Sequence, residues 1–429
     1  MAIRRTSTFW LAGLAALALC FAGAASAQHA GHGAASAPAA MAASSPASAP
    51  KAARKPRPQL GTGVAWAADG RLWWVGVRGT NELVLHRSET VLSDGTALNK
   101  PLQWQPEQVL DTGADPISAD GENHPKLLLG ANGLVIVAYT MPLPKANTGF
   151  VRMLRSTDGG QTFSQPMTVH ADRQEITHRF ESLGLDDRGN LHAVWIDKRD
   201  LEAAPRVGGK SSYRGAAIYT AQSRDGGATF GPDTKLADHS CECCRIALAR
   251  GSDGLLRAMW RHVFEPNIRD HAFAALDGTP TPALVRATLD DWRVDGCPHH
   301  GPSLAAAPDG GFHAVWFGIR QGQSGVRYAR LLADGSPMAA SVKRVPDDRA
   351  EHADLGVRGE RVAIVWRSTD GQTTRIKAWL SSDGGNHFTE RTLAEVQGEN
   401  DFPRIVQRGD ALAVVWRTAK EVQVHALSF

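Results

Sequence analysis

The chain has 429 residues, with 47 Lys and Arg against 44 Asp and Glu and a formal net charge of +3. So small a charge, with no basic stripe and no interleaving of aromatic and lysine residues, argues against nucleic acid as a partner. Glycine and proline are frequent, at 43 and 23 residues, and short strand-like runs between turn dipeptides argue against a helical architecture.

The chain begins with Arg4 and Arg5, an apolar run from Phe9 to Ala25, and Ala25-Ser26-Ala27 ahead of Gln28. A charged start, a short apolar core and a small-x-small site predict a cleaved signal peptide over residues 1–27 and a periplasmic destination. Leu17-Ala18-Leu19-Cys20 approximates a lipoprotein box, but Leu19 is bulkier than the small residue such a box carries. No later stretch approaches the roughly 20 apolar residues of a membrane span, so no transmembrane segment is expected. Residues 28–58 are built of Ala, Ser, Pro and Gly. With almost no large apolar side chain to offset ordering entropy, they predict a disordered tether. Its His29 and His32, beside the amine freed at Gln28, form a candidate weak Cu(II) chelate, with Met41 further on.

Residues 59–429 carry two repeats. The first is an apolar strand ending in tryptophan at Trp195, Trp260, Trp316, Trp366 and Trp416, with weaker copies at Val135 to Tyr139 and Leu72 to Gly76. The spacings of 65, 56, 50 and 50 residues between successive tryptophans suit propeller blades of several short strands each. Seven copies favour an all-β propeller of seven blades, with six as the alternative. The chain ends about one strand short of a full last blade, and a strand around Arg57 to Leu60 is expected to complete it. The second repeat is Ser156-Thr-Asp158-Gly-Gly-Gln-Thr162-Phe163, with copies at Ser223 to Phe230 and Ser381 to Phe388. It reads as a hairpin in which Asp caps the turn and the glycines take positive φ. His387 replaces Thr in the last copy, which reads as a drifted turn.

Fourteen to seventeen residues before each blade's aromatic stand His124, His178, Cys243, His299 with His300, His352 and Asp401. Inner propeller strands start near the central channel, so these side chains are expected at one mouth. Each histidine taken singly reads as structural. The cysteines say more: Cys241-Glu242-Cys243-Cys244 and Cys297-Pro298-His299-His300 open consecutive repeats. An even number of cysteines in an oxidising compartment is compatible with disulfides. Adjacent cysteines, however, pair with one another only through a strained ring, whereas a metal takes them without difficulty. Cys241, Cys243, Cys244, Cys297, His299 and His300 are therefore the candidate metal ligands, with His124, His178, His239, Met259 and His352 secondary. Thiolate with imidazole suits copper, as Cu(I), better than zinc, for which the paired C-x2-C spacing is missing.

The Ser-x-Asp-x-Gly-x-Thr-Phe repeat resembles the Asp-box of the sialidase-like propeller superfamily. The cysteine motifs, with Asn267 to Asp270 between them, resemble a bacterial group of periplasmic propellers associated with copper uptake. That resemblance implies copper acquisition or handling by a monomer. It also implies an outer-membrane copper receptor or another periplasmic copper protein as partner. The rival implication of the superfamily is an exo-sialidase or other glycosidase, which needs an arginine triad, a Tyr and Glu pair and an Asp acid. Arg179, Arg245 and Arg404 stand in register and imitate the triad, but no N-terminal motif carries its first arginine and only four tyrosines exist. No catalytic residue is assigned. A thiol–disulfide redox protein ranks behind both, for want of a Cys-x-x-Cys at a helix start.

Overall fold

The apolar runs form antiparallel four-stranded meanders. The structure, a computed structural model, describes residues 59–79, 81–92 and 102–429; the signal peptide, the tether with His29, His32 and Met41, and Cys20 and Arg57 lie outside them. Written from the innermost strand outward, the first blade is Gly63–Trp66, Leu72–Arg78, Glu82–Arg87 and Gln108–Leu110, and the second is Lys126–Leu129, Val135–Pro142, Gly149–Ser156 and Met167–Thr168. The third is His178–Leu185, Leu191–Asp197, Ala216–Ser223 and Thr234–Ser240, and the fourth is Ala247–Arg250, Leu256–Arg261, His271–Ala275 and Val285–Arg286. The fifth is Ser303–Ala306, Phe312–Arg320, Gln323–Leu331 and Lys343–Arg344, and the sixth is Ala350–Arg358, Arg361–Thr369, Thr373–Ser381 and Thr389–Gln397. The seventh has three strands, Arg404–Arg408, Ala411–Arg417 and Val422–Ala426. Each innermost strand lies against the next around the ring, and the first lies against the last. No helix of the described residues is long and apolar enough to cross a membrane.

The core is a set of apolar layers, one at each blade junction, because successive residues of a strand face opposite sides of its sheet. In the strand Leu191–Asp197, Leu191, Ala193 and Trp195 face the second blade while Val194 and Ile196 face the fourth. The repeated aromatics are almost wholly buried, and most find an acceptor in or near the loop that enters their own blade. Trp316 Nε1 donates to Asp290 at 2.7 Å, Trp366 to Asp347 at 2.9 Å, Trp416 to the Asp401 carbonyl at 2.9 Å and Tyr139 Oη to Asp115 at 2.7 Å. Trp260, packed in the same layer as Cys241, Cys243 and Cys244, has no acceptor for its indole N–H. In the first blade the aromatic's place falls to Gly76, where a Cβ would stand 2.4 Å from Arg417 Nη1.

Ring closure departs from expectation. Leu60 is not in a strand, and its neighbours Gln59 and Gly61 bond to Ala119 between the first two blades. The seventh sheet therefore keeps three strands. Closure rests on side chains instead: Arg417 donates to the Val77 carbonyl at 2.7 Å and lies over the Trp74 ring, while Arg408 reaches the Ala68 and Leu92 carbonyls. Leu72 and Leu92 pack with Val406, Ala413 and Val415 beneath them.

The Asp-box hairpins behave as read. Asp158 Oδ2 accepts from the Thr162 hydroxyl at 2.6 Å, and Asp225 does the same from Thr229 at 2.6 Å. At the third copy His387 Nδ1 meets Asp383 Oδ2 at 2.6 Å, so the imidazole replaces the threonine hydroxyl in the turn.

Because Arg417 bridges the first and last blades, Arg417→Ala should lower unfolding free energy by about 2 kcal/mol in chemical denaturation. The same change at the exposed Arg206 should leave stability within about 0.5 kcal/mol.

Candidate metal centre

Cys241, Cys243 and Cys244 lie on the crossover from the outermost strand of the third blade to the innermost strand of the fourth. Cys297 lies on the next crossover, from the fourth blade to the fifth. The Cys241 amide is fixed to the Arg261 carbonyl at 2.9 Å. The three sulfurs of the first crossover form a triangle, with Sγ–Sγ distances of 3.7 Å (Cys241 and Cys243), 3.9 Å (Cys241 and Cys244) and 3.9 Å (Cys243 and Cys244). Cys297 Sγ comes within 4.8 Å of the Cys241 and Cys243 sulfurs. All four are free thiols; the first three are buried and Cys297 is exposed.

Those spacings have a simple geometric meaning. Thiolates bound to one ion at about 2.3 Å stand about 3.8 Å apart in a tetrahedron and about 4.0 Å apart in a plane. A disulfide would need about 2 Å. Electrostatically the four act as one group. Hydrogen bonds from the thiols of Cys243, Cys244 and Cys297 hold the Cys241 thiol well below the usual range, while donating to Cys241 pushes those three up.

Glu122 ties the two cysteine crossovers together. Its Oε2 accepts the Arg245 amide at 3.0 Å, one residue after Cys244, and the Gly301 amide at 2.9 Å, four residues after Cys297. Its Oε1 accepts the Arg245 guanidinium at 2.7 Å and meets His352 Nδ1 at 3.1 Å. Burial raises the Glu122 pKa, but the Arg245 charge and these bonds outweigh it and hold the carboxyl well below the carboxylate range. Gly301 has to be glycine, since a Cβ there would stand 2.3 Å from Arg245 Cγ and 2.6 Å from its carbonyl oxygen.

The remaining expected ligands divide. His299, at φ 55, lines a cavity together with Glu122 and His352. His300 sits in a stack with Phe317 on one side and His352 on the other, both at 4.3 Å, and its Nδ1 is buried without a partner. His352 continues the stack onto Phe402 at 3.5 Å. Burial holds His300 down at about 3, with the His352 charge adding to the shift. His124 takes Arg404 Nη2 on Nδ1 at 2.9 Å, and the His239 ring lies over Tyr213 with Nδ1 accepting the Arg214 amide at 3.3 Å. His178 is fully buried, with Nδ1 on Asp197 at 2.9 Å and Nε2 3.3 Å from the Gln174 carbonyl. Met259 packs in the apolar layer between the fourth and fifth blades, a different layer from that of the cysteines.

Sequence reasoning missed Glu122. It stands in Gly121-Glu122-Asn123-His124, a string repeated as Gly398-Glu399-Asn400-Asp401, and that repetition was the available signal. The arginines that imitate a carboxylate clamp are already engaged. Arg245 is spent on Glu122 and on the Pro302 and Ala353 carbonyls, and Arg404 on the Gly121 carbonyl and His124.

No protein-family model and no curated protein matches the chain. Among solved structures it is similar to a polysaccharide lyase, an ulvan lyase bound to -[GlcA(1-4)Rha3S]-, at 13% identity over 85% of this chain and 91% of that one, with a TM-score of 0.53. It is also similar to the polysaccharide lyase Uly1, at 9% identity over 86% of this chain and 90% of that one, with a TM-score of 0.50. At such identities the likeness is one of fold. The chain is an all-β, seven-bladed propeller whose described residues carry a cluster of four free thiols.

Glu122→Gln leaves Arg245 buried without its counter-charge and should cost about 3 kcal/mol at neutral pH. A carboxylate whose folded pKa lies below its unfolded one stabilises above the unfolded value, near 4, and loses that contribution as pH falls. Unfolding followed from pH 7 to pH 3 should therefore show a shallower acid loss in the glutamine variant than in the parent.

Proposed function

We propose that this chain is a periplasmic copper-handling propeller that binds Cu(I) through Cys241, Cys243, Cys244 and Cys297 and serves copper acquisition. The observation that carries the reading is the triangle of sulfurs at 3.7–3.9 Å, the separation that thiolates adopt around one ion. Soft sulfur ligands select Cu(I) over hard cations, and burial of three of them keeps water from competing. His299 and His300 follow Cys297 on the same loop and supply the nearest imidazoles in sequence. An outer-membrane copper receptor or another periplasmic copper protein is the partner this role requires. A glycosidase role gains little from the neighbours named above, since Arg245 and Arg404 are committed to buried carbonyl, carboxylate and imidazole groups.

Reduced protein kept anaerobic should take up Cu(I) tightly and show four reactive thiols in the mature chain before loading. Cys243→Ser with Cys244→Ser should abolish tight uptake while the blades, and the circular dichroism, stay unchanged. Each thiol that must lose its proton makes apparent affinity about tenfold weaker per pH unit of acidification. Removal of residues 28–55 should leave the tight site intact. Native protein without free thiols, taking up no copper after reduction, would make the cysteines disulfide staples and overturn the reading.

A further inference from the structure

A cavity of about 620 Å³, lined by His299 and Glu122 among others, has a lining that the copper reading leaves largely unused. Its charge is one-sided. Asp120, Glu122, Glu351, Glu399 and Asp401 line it, against the single guanidinium of Arg367. Glu122 is paired with Arg245 and Glu351 with Arg367 at 3.3 Å, and Arg404 and Arg417 stand near Asp401, which leaves Asp120 and Glu399 as carboxylates without a guanidinium partner.

A second observation is independent of that count. Asp401 and Asn400 line the cavity yet are only 3% and 6% exposed. Asp401 Oδ1, Asp401 Oδ2 and Asn400 Oδ1 are all buried without a hydrogen-bond donor. Of the neighbouring donors, the Thr62 hydroxyl is bonded to the Leu60 carbonyl, Arg404 Nη2 to Gly121 and His124 and Arg417 Nη2 to Val77, while Arg404 Nε and Arg417 Nη1 are themselves buried without a partner. Buried acceptors are normally satisfied, and leaving them empty is costly. Burial pushes the Asp401 carboxyl up to about 6, with the Arg404 and Arg417 charges opposing the shift.

We propose that this cavity binds an aliphatic primary ammonium group. Three orphaned acceptors on adjacent residues match the three N–H donors of an ammonium ion. Phe402, flat against His352 and with the Arg367 guanidinium over its ring at 5.9 Å, supplies the aromatic surface of the cavity, and lysine stems use apolar surfaces elsewhere. The volume admits the whole stem of a lysine side chain or a short diamine. A metal ion is a poorer fit, since the cysteines form the only group of three or more His, Cys, Asp or Glu ligands among the described residues whose donor atoms converge.

The source of the ammonium is either a free amine or a lysine of a docking protein, and calorimetry on the full mature chain separates them. The probes are 1,5-diaminopentane, a capped Gly-Lys-Gly peptide, 1-pentanol and the matching norleucine peptide. Saturable one-to-one binding of an ammonium probe, with none of its neutral counterpart, is expected. Binding of the peptide alone identifies a protein lysine as the source, and binding of the diamine alone identifies a free amine. Asp401→Asn should weaken binding by roughly thirtyfold or more. Glu399→Gln, at an exposed residue and so safe for folding, should weaken it several-fold and flatten its salt dependence. No binding of either amine, equal binding of 1-pentanol, or affinity indifferent to both substitutions would overturn the proposal. The measurement needs no copper, so its failure leaves the reading of the thiols untouched, and failure of copper uptake leaves this site standing.

Discussion

A carboxylate removed from water must have its lone pairs filled by donors, and at Glu122 those donors come from loops that the sequence keeps far apart. The Arg245 amide and guanidinium, the Gly301 amide and the His352 ring all converge on its two oxygens. Three of these four donors belong to the crossovers that carry the cysteines. Neither crossover is a strand, so neither has a ladder of backbone bonds to fix its height at the mouth. The position of Cys244 relative to Cys297 is thus set jointly by this buried anion and by Arg261 of the fourth blade, whose carbonyl accepts the Cys241 amide and whose guanidinium donates to the His300 carbonyl at 3.0 Å. Local order of a few tenths of an ångström, which a metal site requires, follows from charge-assisted hydrogen bonds in a medium where breaking them exposes an unpaired charge.

The blades contribute the frame in which that anion can be buried. Each junction is sealed by its own apolar layer, and most repeated aromatics donate to an acceptor near the loop that enters their blade. This links the height of each crossover to the core of the blade that it feeds. At the mouth the backbone leaves regular geometry, with positive φ at Phe180, His239, His299 and His352. Side-chain-bearing residues hold that conformation only when their surroundings over-determine it. For His352 the surroundings are Glu122 on one ring nitrogen and aromatic rings on both faces.

What was legible in the sequence follows from which forces are periodic. Blade number and register came through because burial at a junction demands an aromatic at a fixed place in every repeat. The Asp-box came through because its turn needs Asp and glycines at fixed offsets. The meeting of Cys241 with Cys297 could be inferred, since both open a repeat. Closure of the ring could not. Gly76 reads as a lost tryptophan until Arg417 is seen beside it, and Leu60 reads as a strand until its neighbours are found bonded to Ala119. Glu122 was harder to read, because apart from the Gly-Glu-Asn string repeated at Gly398 to Asn400 it looks like part of an ordinary polar loop. Its partners 123, 179 and 230 residues away leave no local pattern. Met259 illustrates the opposite error: a soft ligand type adjacent to a site in sequence, turned by strand alternation into another layer.

The burial gradient among the four sulfurs bears on which ion they suit. Placing several thiolates in a low-dielectric layer is costly unless a cation compensates each of them. The thiols lessen that cost by hydrogen bonding to one another, which lowers the Cys241 pKa and raises the others. On the copper reading, a bound ion would replace the S–H protons with its own charge. A monovalent ion with low coordination number needs only two or three sulfurs, which the buried triangle offers alone. A divalent ion that prefers four ligands must draw in Cys297, exposed and carried by a different crossover, and so depends on the relative placement of two loops. On the copper reading, the arrangement suits the smaller ligand set, and Cys297 at the solvent edge would be the place where ligand exchange begins without opening the blade junction beneath.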